Sequence, residues 1–442
     1  MHPKTNTAPR GRVRWLLMAL IIFPLTFVMS LDRTNIAVSA PTIAKHFHFT
    51  VVQMGLILSS FAWTYALFQI PGGILTERLG SRRMLSFADI WWSIWTALTA
   101  VGFSVASFVG IRGLLGIGQA TDWSASVNSI KRWFPSRERA RANSILLGGL
   151  YLGPIIGTPL TVAIVEGLGW QWSFYIYGAA GLVMGTLWWV FYRDKPQEHP
   201  AVSPDELHYI ESGYDATSTP DVARWRDWKL FIANYRFWAF GLQYFFLIFV
   251  QNFYTTWLPT YLVKARGFSL TSMGFAASLP WVALFTMVFV TGAWQDRVFA
   301  RTGSKTKSRT PFAVMGFILA AVFLIIASRV QVPWLMIVFL MGSLGAVGLV
   351  QVSIWPTCTD LGGNMTGSVT GWTNFWGNLS GALGPIITAL LVALTNNWAS
   401  ALTVIGLAAL VGAGLWLMVH PDRPLEMGAT PGVGTEAIQP GQ

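Results

Sequence analysis

A chain of 442 residues that is 53% hydrophobic and only 11% charged is not an ordinary soluble domain, where roughly 25% of residues carry charge. Its net charge of +11 would suit a nucleic-acid partner in a soluble protein. Here the basic residues fall in short loops between apolar runs, where they report orientation in a bilayer and exclude that partner. One cysteine, Cys358, excludes an internal disulfide framework.

Twelve candidate spans of about 20 residues are expected, at roughly 15–38, 52–76, 84–105, 107–130, 142–165, 172–192, 237–259, 271–293, 311–329, 334–356, 366–394 and 399–420. The first run is too long for a signal-peptide core and no small-residue cleavage site follows it. It ends in Asp32-Arg33, adjacent charges at or near bilayer depth, where each costs a few kcal/mol on insertion scales. The span 107–130 is the least hydrophobic of the first six, carrying Arg112, Gln119, Asp122 and Asn128. Lys and Arg crowd alternate loops: Lys4, Arg10, Arg12 and Arg14 before the first span, Arg78, Arg82 and Arg83 after the second, Lys131 to Arg141 after the fourth, and Arg297 to Arg309 after the eighth. The opposite loops hold only Lys45, Lys264, Arg266 and Arg329, so both termini are expected in the cytoplasm.

The one long polar segment, 193–236, separates two six-span halves. Ser203-Pro204-Asp205-Glu206 reads as a helix start, with Ser as N-cap, Pro at N1 and Glu at the capping-box position. A short amphipathic helix on the membrane face and a flexible linker are the two readings. The expected organisation is an N-terminal bundle over 1–195, a cytoplasmic linker over 196–235, and a C-terminal bundle with a disordered tail over 236–442. An internal repeat supports the division: Gly73-x-x-x-Glu77-Arg78-x-Gly80-x-Arg82 follows span 2, and Gly292-Ala-Trp-Gln-Asp296-Arg297 follows span 8. Repeated bundles place a site between them.

At these residues the chain resembles the major facilitator superfamily, whose signature loop between helices 2 and 3 has the pattern Gly73, Glu77, Arg78, Gly80, Arg82, with Glu77 standing where Asp is usual. The resemblance narrows to the anion:cation symporter branch through Asp32-Arg33-x-Asn35-Ile36-Ala37, Phe61-Ala-Trp-x-Tyr65-x-x-x-Gln69-Ile-Pro-Gly-Gly73, Arg112-x-x-x-Gly116-x-Gly118, Trp133-Phe-Pro, Trp257-Leu-Pro and Gly371-x-x-Asn374-x-x-Gly377. It implies an all-α membrane protein of twelve transmembrane helices in two pseudo-symmetric six-helix bundles. In that family the loop residues, here with Asp296 and Arg297 of the second copy, act as a conformational latch.

An anionic substrate needs fixed positive charge, and Arg33 and Arg112 are the two arginines placed within spans. A guanidinium fork suits a carboxylate. The resemblance puts Arg33 near the substrate and pairs Arg112 with a carboxylate on helix 4; structural ion pairs with Asp32 and Asp122 are the other reading. Tyr65 and Gln69 lie one turn apart on one face, as do Asn374 and Asn378, and both pairs are candidate hydrogen-bonding walls, with Gln351 and Trp355 of span 10 and Gln243, Gln251 and Asn252 of span 7 as further candidates. Trp123 could line the cavity or simply pack. The resemblance places a glutamate at 119, where this chain has Gln119, and an amide carries no proton. Asp122 and Asp32 are then the candidate proton carriers. Asp89 and Glu166 are read as interfacial, with no role.

The expected function is a secondary active transporter that imports an organic anion, a sugar acid such as a hexonate, aldarate or hexuronate, by proton symport with alternating access. Its expected setting is a bacterial inner membrane, as a monomer, with no cofactor. An exchanger or uniporter that has lost proton coupling at Gln119, and a phthalate-like carboxylate transporter, are the alternatives. A membrane-embedded enzyme or a channel is not expected: the His residues, His46 and His48 among them, stand in tails and loops without ligand spacing inside spans, and a channel needs no two-half repeat with latch loops.

Overall fold

The computed structural model describes residues 13–211, 232–363, 366–423 and 425. Lys4, Arg10 and Arg12, the linker basic residues Arg224, Arg226 and Lys229, and the tail expected to be disordered lie outside the described residues. The described chain is all helical, with twelve long helices: α1 (Val13–Phe47), α2 (Val51–Leu79), α3 (Ser81–Thr99), α4 (Val105–Gln119 and Asp122–Trp133), α5 (Ser136–Leu168), α6 (Trp170–Phe191), α7 (235–266), α8 (Leu270–Thr302), α9 (Lys305–Arg329), α10 (Pro333–Gly362), α11 (Thr366–Thr395) and α12 (Trp398–Leu417). Among the described residues nine of them are long and apolar enough to cross a membrane by length and composition. The other three depart for physical reasons. α3 opens on Ser81-Arg82-Arg83 and carries Asp89. α4 breaks at Ala120-Thr121 into two pieces, where a single span was expected. α7 passes through a π turn at Phe253–Trp257 that ends just before Pro259.

Side-chain caps fix several helix starts. Thr50 and Gln53 form a full capping box at α2 and Ser104 and Ser107 one at α4, satisfying amides that would otherwise be orphaned. The α2–α3 junction is a single residue, Gly80, with φ +85°. A side chain there would be strained by its backbone and would also strike the Asp194 carboxylate, 2.4 Å from the Cβ position, so the glycine is required twice over.

Helix packing repeats under a shift of six. In the first half α1 packs on α5 and α6, α2 on α4, and α3 on α4 and α6; in the second α7 packs on α11 and α12, α8 on α10, and α9 on α10 and α12. Between halves α2 meets α11 and α5 meets α8, and these two pairs exchange under the same shift. That is the packing of two pseudo-symmetric six-helix bundles. Even the end caps repeat. Asp194, just beyond α6, accepts from the backbone N–H of Arg82 at the start of α3 (3.1 Å). Asp422, beyond α12, accepts from the N–H groups of Lys305 (2.8 Å) and Thr306 (3.1 Å) and from the Ser304 hydroxyl (2.7 Å) at the start of α9. Burial opposes the Asp422 charge, but these donors bring its carboxyl down to about 2.

Small residues set the close approaches. A Cβ at Gly116 of α4 would lie 2.4 Å from the Phe61 carbonyl oxygen of α2, so backbone would have to move. Gly116→Val is expected to cost about 2 kcal/mol by overpacking, read as a lower unfolding temperature of the detergent-solubilised protein than wild type.

The short linker helix (Pro204–Glu211) starts as its sequence suggests, with Ser203 Oγ accepting from the Glu206 N–H (3.2 Å). The Glu206 carboxylate does not close the capping box. It is fully buried and accepts from Arg14 Nη1 (2.8 Å) and from the N–H groups of Val13 and Arg14. The helix therefore packs its Glu206 and Ile210 face on protein, where a helix lying on the membrane was one expectation.

The halves touch closely at the end opposite the signature loop. The second part of α7 packs on α1, the Gly274 position of α8 meets Val162 of α5, that of Gly55 meets Ala389 of α11, and Thr271 donates to Glu166 (2.8 Å). At the other end a vestibule of about 830 Å³ opens between Trp123, Asn143 and Leu147 on one side and Phe285, Asp296 and Trp355 on the other. The structure is open on the side of the basic loops.

Candidate functional site at the bundle interface

Adjacent residues on a helix point about 100° apart, and α1 uses this at Asp32-Arg33. Ser30, Arg33, Thr34 and Ala37 follow helical spacing along one face, and all four line a central cavity. Asp32 turns the other way into the first bundle, is fully buried, and accepts from Thr96 Oγ1 of α3 (2.8 Å) and Gln119 Nε2 of α4 (3.3 Å). Arg112 Nη1 lies 4.0 Å from Asp32 Oδ2. The acid beside Arg112 is thus Asp32 of α1, and the pairing of Arg112 with Asp122 on helix 4 is corrected: both Asp122 oxygens are buried without a hydrogen-bond partner. The break in α4 separates the two, because Arg112 sits in its first piece and Asp122 opens the second.

Gln119 is the bridge. Its Oε1 accepts from Arg33 Nε (2.9 Å) while its Nε2 donates to Asp32. The amide does what a neutral glutamic acid would do, one acceptor and one donor, and cannot change state. The Phe61 ring lies near both guanidinium groups, 5.2 Å from Arg33 and 5.3 Å from Arg112, and Arg33 also lies 4.9 Å from the Tyr65 ring. Such contacts hold a cation in place with about 0.5–2 kcal/mol each. Arg112 keeps Nε and Nη1 buried without a hydrogen-bond partner, donors an anion could use.

The opposite wall is neutral. A cavity of about 240 Å³ is lined by Arg33, Phe61, Tyr65 and Arg112 from the first half and by Tyr244, Asn252, Thr255, Thr256, Asn374 and Asn378 from the second. A second chamber of about 190 Å³ shares Arg33 and Thr255 with it and adds Thr34, Tyr151, Gln251, Tyr254 and Trp281. Among the described residues, Arg33, which lines both chambers, and Arg112, which lines the first, are the only charged side chains on them. Asn252 donates to the Ser380 carbonyl (2.8 Å) and Asn378 donates across the interface to Gln69 Oε1 (2.6 Å).

Of the residues singled out from sequence, Arg33, Tyr65, Arg112, Asn374 and Asn378 meet at the cavity. Gln69 ties α2 to α11 beside it. Gln351 and Trp355 line the open vestibule, as does Trp123. Gln243 is buried and donates to the Phe240 carbonyl. In the signature loop Arg82 binds the Trp189 carbonyl (2.8 Å) within its own half, and Glu77, Arg78, Asp296 and Arg297 are exposed. Asp89 is fully buried within the first bundle. Glu166 does lie at the closed end, where it meets Thr271. Thr255 and Thr256 were overlooked; their place one helical turn beyond Gln251 and Asn252 was the available signal.

Comparison with known proteins agrees with the geometry. The Major Facilitator Superfamily model matches residues 22–385. The chain is 29% identical over 435 residues to the Probable galactarate/D-glucarate transporter of Escherichia coli (strain K12), covering 95% of this chain and 96% of that one. It is 32% identical over 311 residues to the D-galactonate transporter of Escherichia coli O6:H1, covering 69% and 71%. With the Probable anion transporter 4, chloroplastic, of Oryza sativa subsp. japonica it shares 30% over 409 residues, covering 91% and 68%. A solved bacterial homologue of the human lysosomal transporter Spinster, inward-facing and unoccupied, superposes with TM-score 0.72 at 18% identity over 94% of this chain and 97% of that one, which establishes the shared fold. The chain is a multi-pass membrane transporter and belongs to the Major Facilitator Superfamily.

Proposed function

We propose that this transporter imports an organic anion, a sugar acid of the hexonate, aldarate or hexuronate class, with protons, across a bacterial inner membrane, with both termini in the cytoplasm. The observation that carries the reading is the charge layout: among the described residues two arginines are the only charged groups on a cavity where the halves meet, and amides and hydroxyls form the facing wall. Arg33 and Arg112 hold the carboxylate, and Tyr65, Asn374 and Asn378 take hydroxyls, since a polyol satisfies amides that a bare aromatic acid would leave unpaired. Gln69, Gln351 and Trp355 flank the route in. The names of the Escherichia coli relatives, for galactarate, glucarate and galactonate, support that class. Alternating access follows from rocking of the two bundles about a midplane site, with Gly73, Glu77, Arg78, Gly80, Arg82, Asp296 and Arg297 as the latch that closes the open side. Asp32 and Asp122 are the carboxylates available for proton coupling, and a monomer suffices.

The test is uptake of labelled galactonate, glucarate and galacturonate into proteoliposomes with and without an inward proton gradient. Accumulation driven by the gradient is the expected result; transport that only equilibrates would favour the exchanger or uniporter, a reading that the fixed amide of Gln119 supports. A companion variant probes that amide. Gln119→Glu is expected to make binding pH-dependent. An ionised glutamate competes with substrate for Arg33, so affinity should fall about tenfold as pH rises from about 5.5 to 8, measured by calorimetry on the solubilised protein. A flat profile would show that position 119 does not govern Arg33.

A further inference from the structure

The hydroxyls of the cavity wall have a polarity. A backbone carbonyl only accepts, so a hydroxyl bonded to one has committed its hydrogen and offers lone pairs alone. Thr255 donates to the Gln251 carbonyl (3.1 Å) and Thr256 to the Asn252 carbonyl (2.6 Å), both within α7. Asn252 donates from Nδ2 to the Ser380 carbonyl (2.8 Å), which fixes its amide and leaves Oδ1 as an acceptor. In the second chamber Ser30 donates to the Leu150 carbonyl (2.6 Å), Thr34 to the Ser30 carbonyl (2.9 Å) and Thr158 to the Pro154 carbonyl (2.7 Å). Among the described residues, every serine and threonine that lines either chamber has its hydrogen committed in this way.

Charge divides the same way. Arg112 stands 4.0 Å from Asp32, a counter-charge within the first bundle, whereas Arg33 is tied to the neutral amide of Gln119 (2.9 Å). Two guanidinium charges and one carboxylate leave a single positive charge for a ligand. The second half keeps amide donors on the chambers, at Asn374 and Gln251, and these are neutral. An ionised carboxylate is acceptor-only. The carboxyl carbons of an extended six-carbon diacid stand about 6 Å apart, across five C–C bonds of about 1.5 Å each. With one carboxylate on the arginines, the other meets lone pairs and no cation, and its desolvation goes uncompensated. A hydroxyl in that place donates to the same lone pairs.

We propose, resting on the sugar-acid reading above, that the site takes polyhydroxy monoacids and rejects diacids of the same carbon skeleton. The carboxylate sits at Arg33 and Arg112, and the hydroxyl-bearing end donates to Thr255, Thr256 and Asn252. The two threonines are specificity-determining residues: they admit a donor and oppose a second anion. Of the three classes of sugar acid, hexonates and hexuronates meet this rule and aldarates do not. The rule concerns binding alone and holds whether or not transport is coupled to protons.

The experiment is calorimetric binding to the full solubilised chain at about pH 7.5, where both carboxyls of a diacid are ionised. Galactonate is compared with galactarate and gluconate with glucarate; within each pair only the terminal group changes, from hydroxymethyl to carboxylate. Galacturonate, whose matched diacid is also galactarate, is the third monoacid. The tightest ligand should be a monoacid, ahead of its matched diacid by at least about tenfold. A smaller advantage, or a preference for the diacid, overturns the proposal and leaves the sugar-acid reading intact. Binding by none of the five overturns that reading and the proposal with it. The double variant Thr255→Val/Thr256→Val keeps the side-chain shapes and removes both acceptors. In it the monoacid should weaken by about fivefold or more while the diacid, read by competition, does not, so the ratio between them falls. Thr255→Ser/Thr256→Ser, which keeps both hydroxyls, should retain the wild-type ratio. Equal losses for monoacid and diacid in the valine variant, as a merely structural defect gives, overturn the assignment to these threonines. The wild-type comparison decides the substrate rule even where a variant does not fold.

Discussion

Arg33→Ala should reduce substrate binding by about 30-fold to several thousandfold, the range set by roughly 2–5 kcal/mol for truncating one partner of a buried hydrogen-bonded charge pair. Three contacts position this guanidinium: Gln119 takes its Nε, and the Phe61 and Tyr65 rings lie beside it. With Nε occupied, the two terminal nitrogens remain for a carboxylate. Arg33→Lys keeps the charge but loses both the fork and the bond to Gln119, so it should recover only a small part of the affinity. Tyr65→Phe, which removes a single hydroxyl, should cost about 1 kcal/mol. Equilibrium binding of labelled galactonate or glucarate to the solubilised variants measures all three. Wild-type affinity in Arg33→Ala would place the anion site elsewhere. The same loss in Tyr65→Phe as in Arg33→Ala would mean that a hydrogen bond, rather than charge, dominates.

Arg14→Ala is expected to have the largest effect on stability. Arg14 is 2% exposed and Glu206 fully buried. The guanidinium joins Glu206 of the linker helix (2.8 Å) to Glu138 at the start of α5 (2.8 Å), and Tyr209 donates to the same Glu138 (2.8 Å) while its ring lies 4.8 Å from the guanidinium. Removing the cation strands buried carboxylate charge, which costs about 3–5 kcal/mol, whereas a neutral replacement of the pair as a whole costs far less. The unfolding temperature in detergent should fall by roughly 5 °C or more. The double variant Arg14→Met/Glu206→Leu should regain much of the loss. A single-variant effect below about 1 kcal/mol would place this node among exposed ion pairs that contribute little.

Legibility from sequence divided along physical lines. The spans were readable because hydrocarbon leaves long apolar runs no alternative to helix. The break in α4 was not readable, since Ala120-Thr121 contains neither Gly nor Pro and the interruption is a matter of packing around Thr121, which fills the space beside Gly72 of α2. Arg33, Arg112 and Asn378 could be placed because a charge or amide at bilayer depth is costly enough to need a reason. Gln351 and Trp355 share that signal, yet they line the vestibule, a distinction of depth along α10 that helical spacing does not carry. The burial of Asp89 was not readable, because helical spacing does not show that Asp89 and Ser93 face Gly185 and Gly181 of α6 inside the bundle.

Among the described residues, the charged side chains on the cavity come from the first half only. On the proposed function, a bound anion would stay anchored to the first bundle through every stage of a rocking motion, while the second bundle would swing past it and touch its far end. Holding strength and selectivity would then be separable traits, one written in α1 and α4, the other in α7 and α11. A lineage could change diet, from one sugar acid to another, by drift in Asn252, Thr256, Asn374 or Asn378 without ever passing through a form that fails to grip a carboxylate.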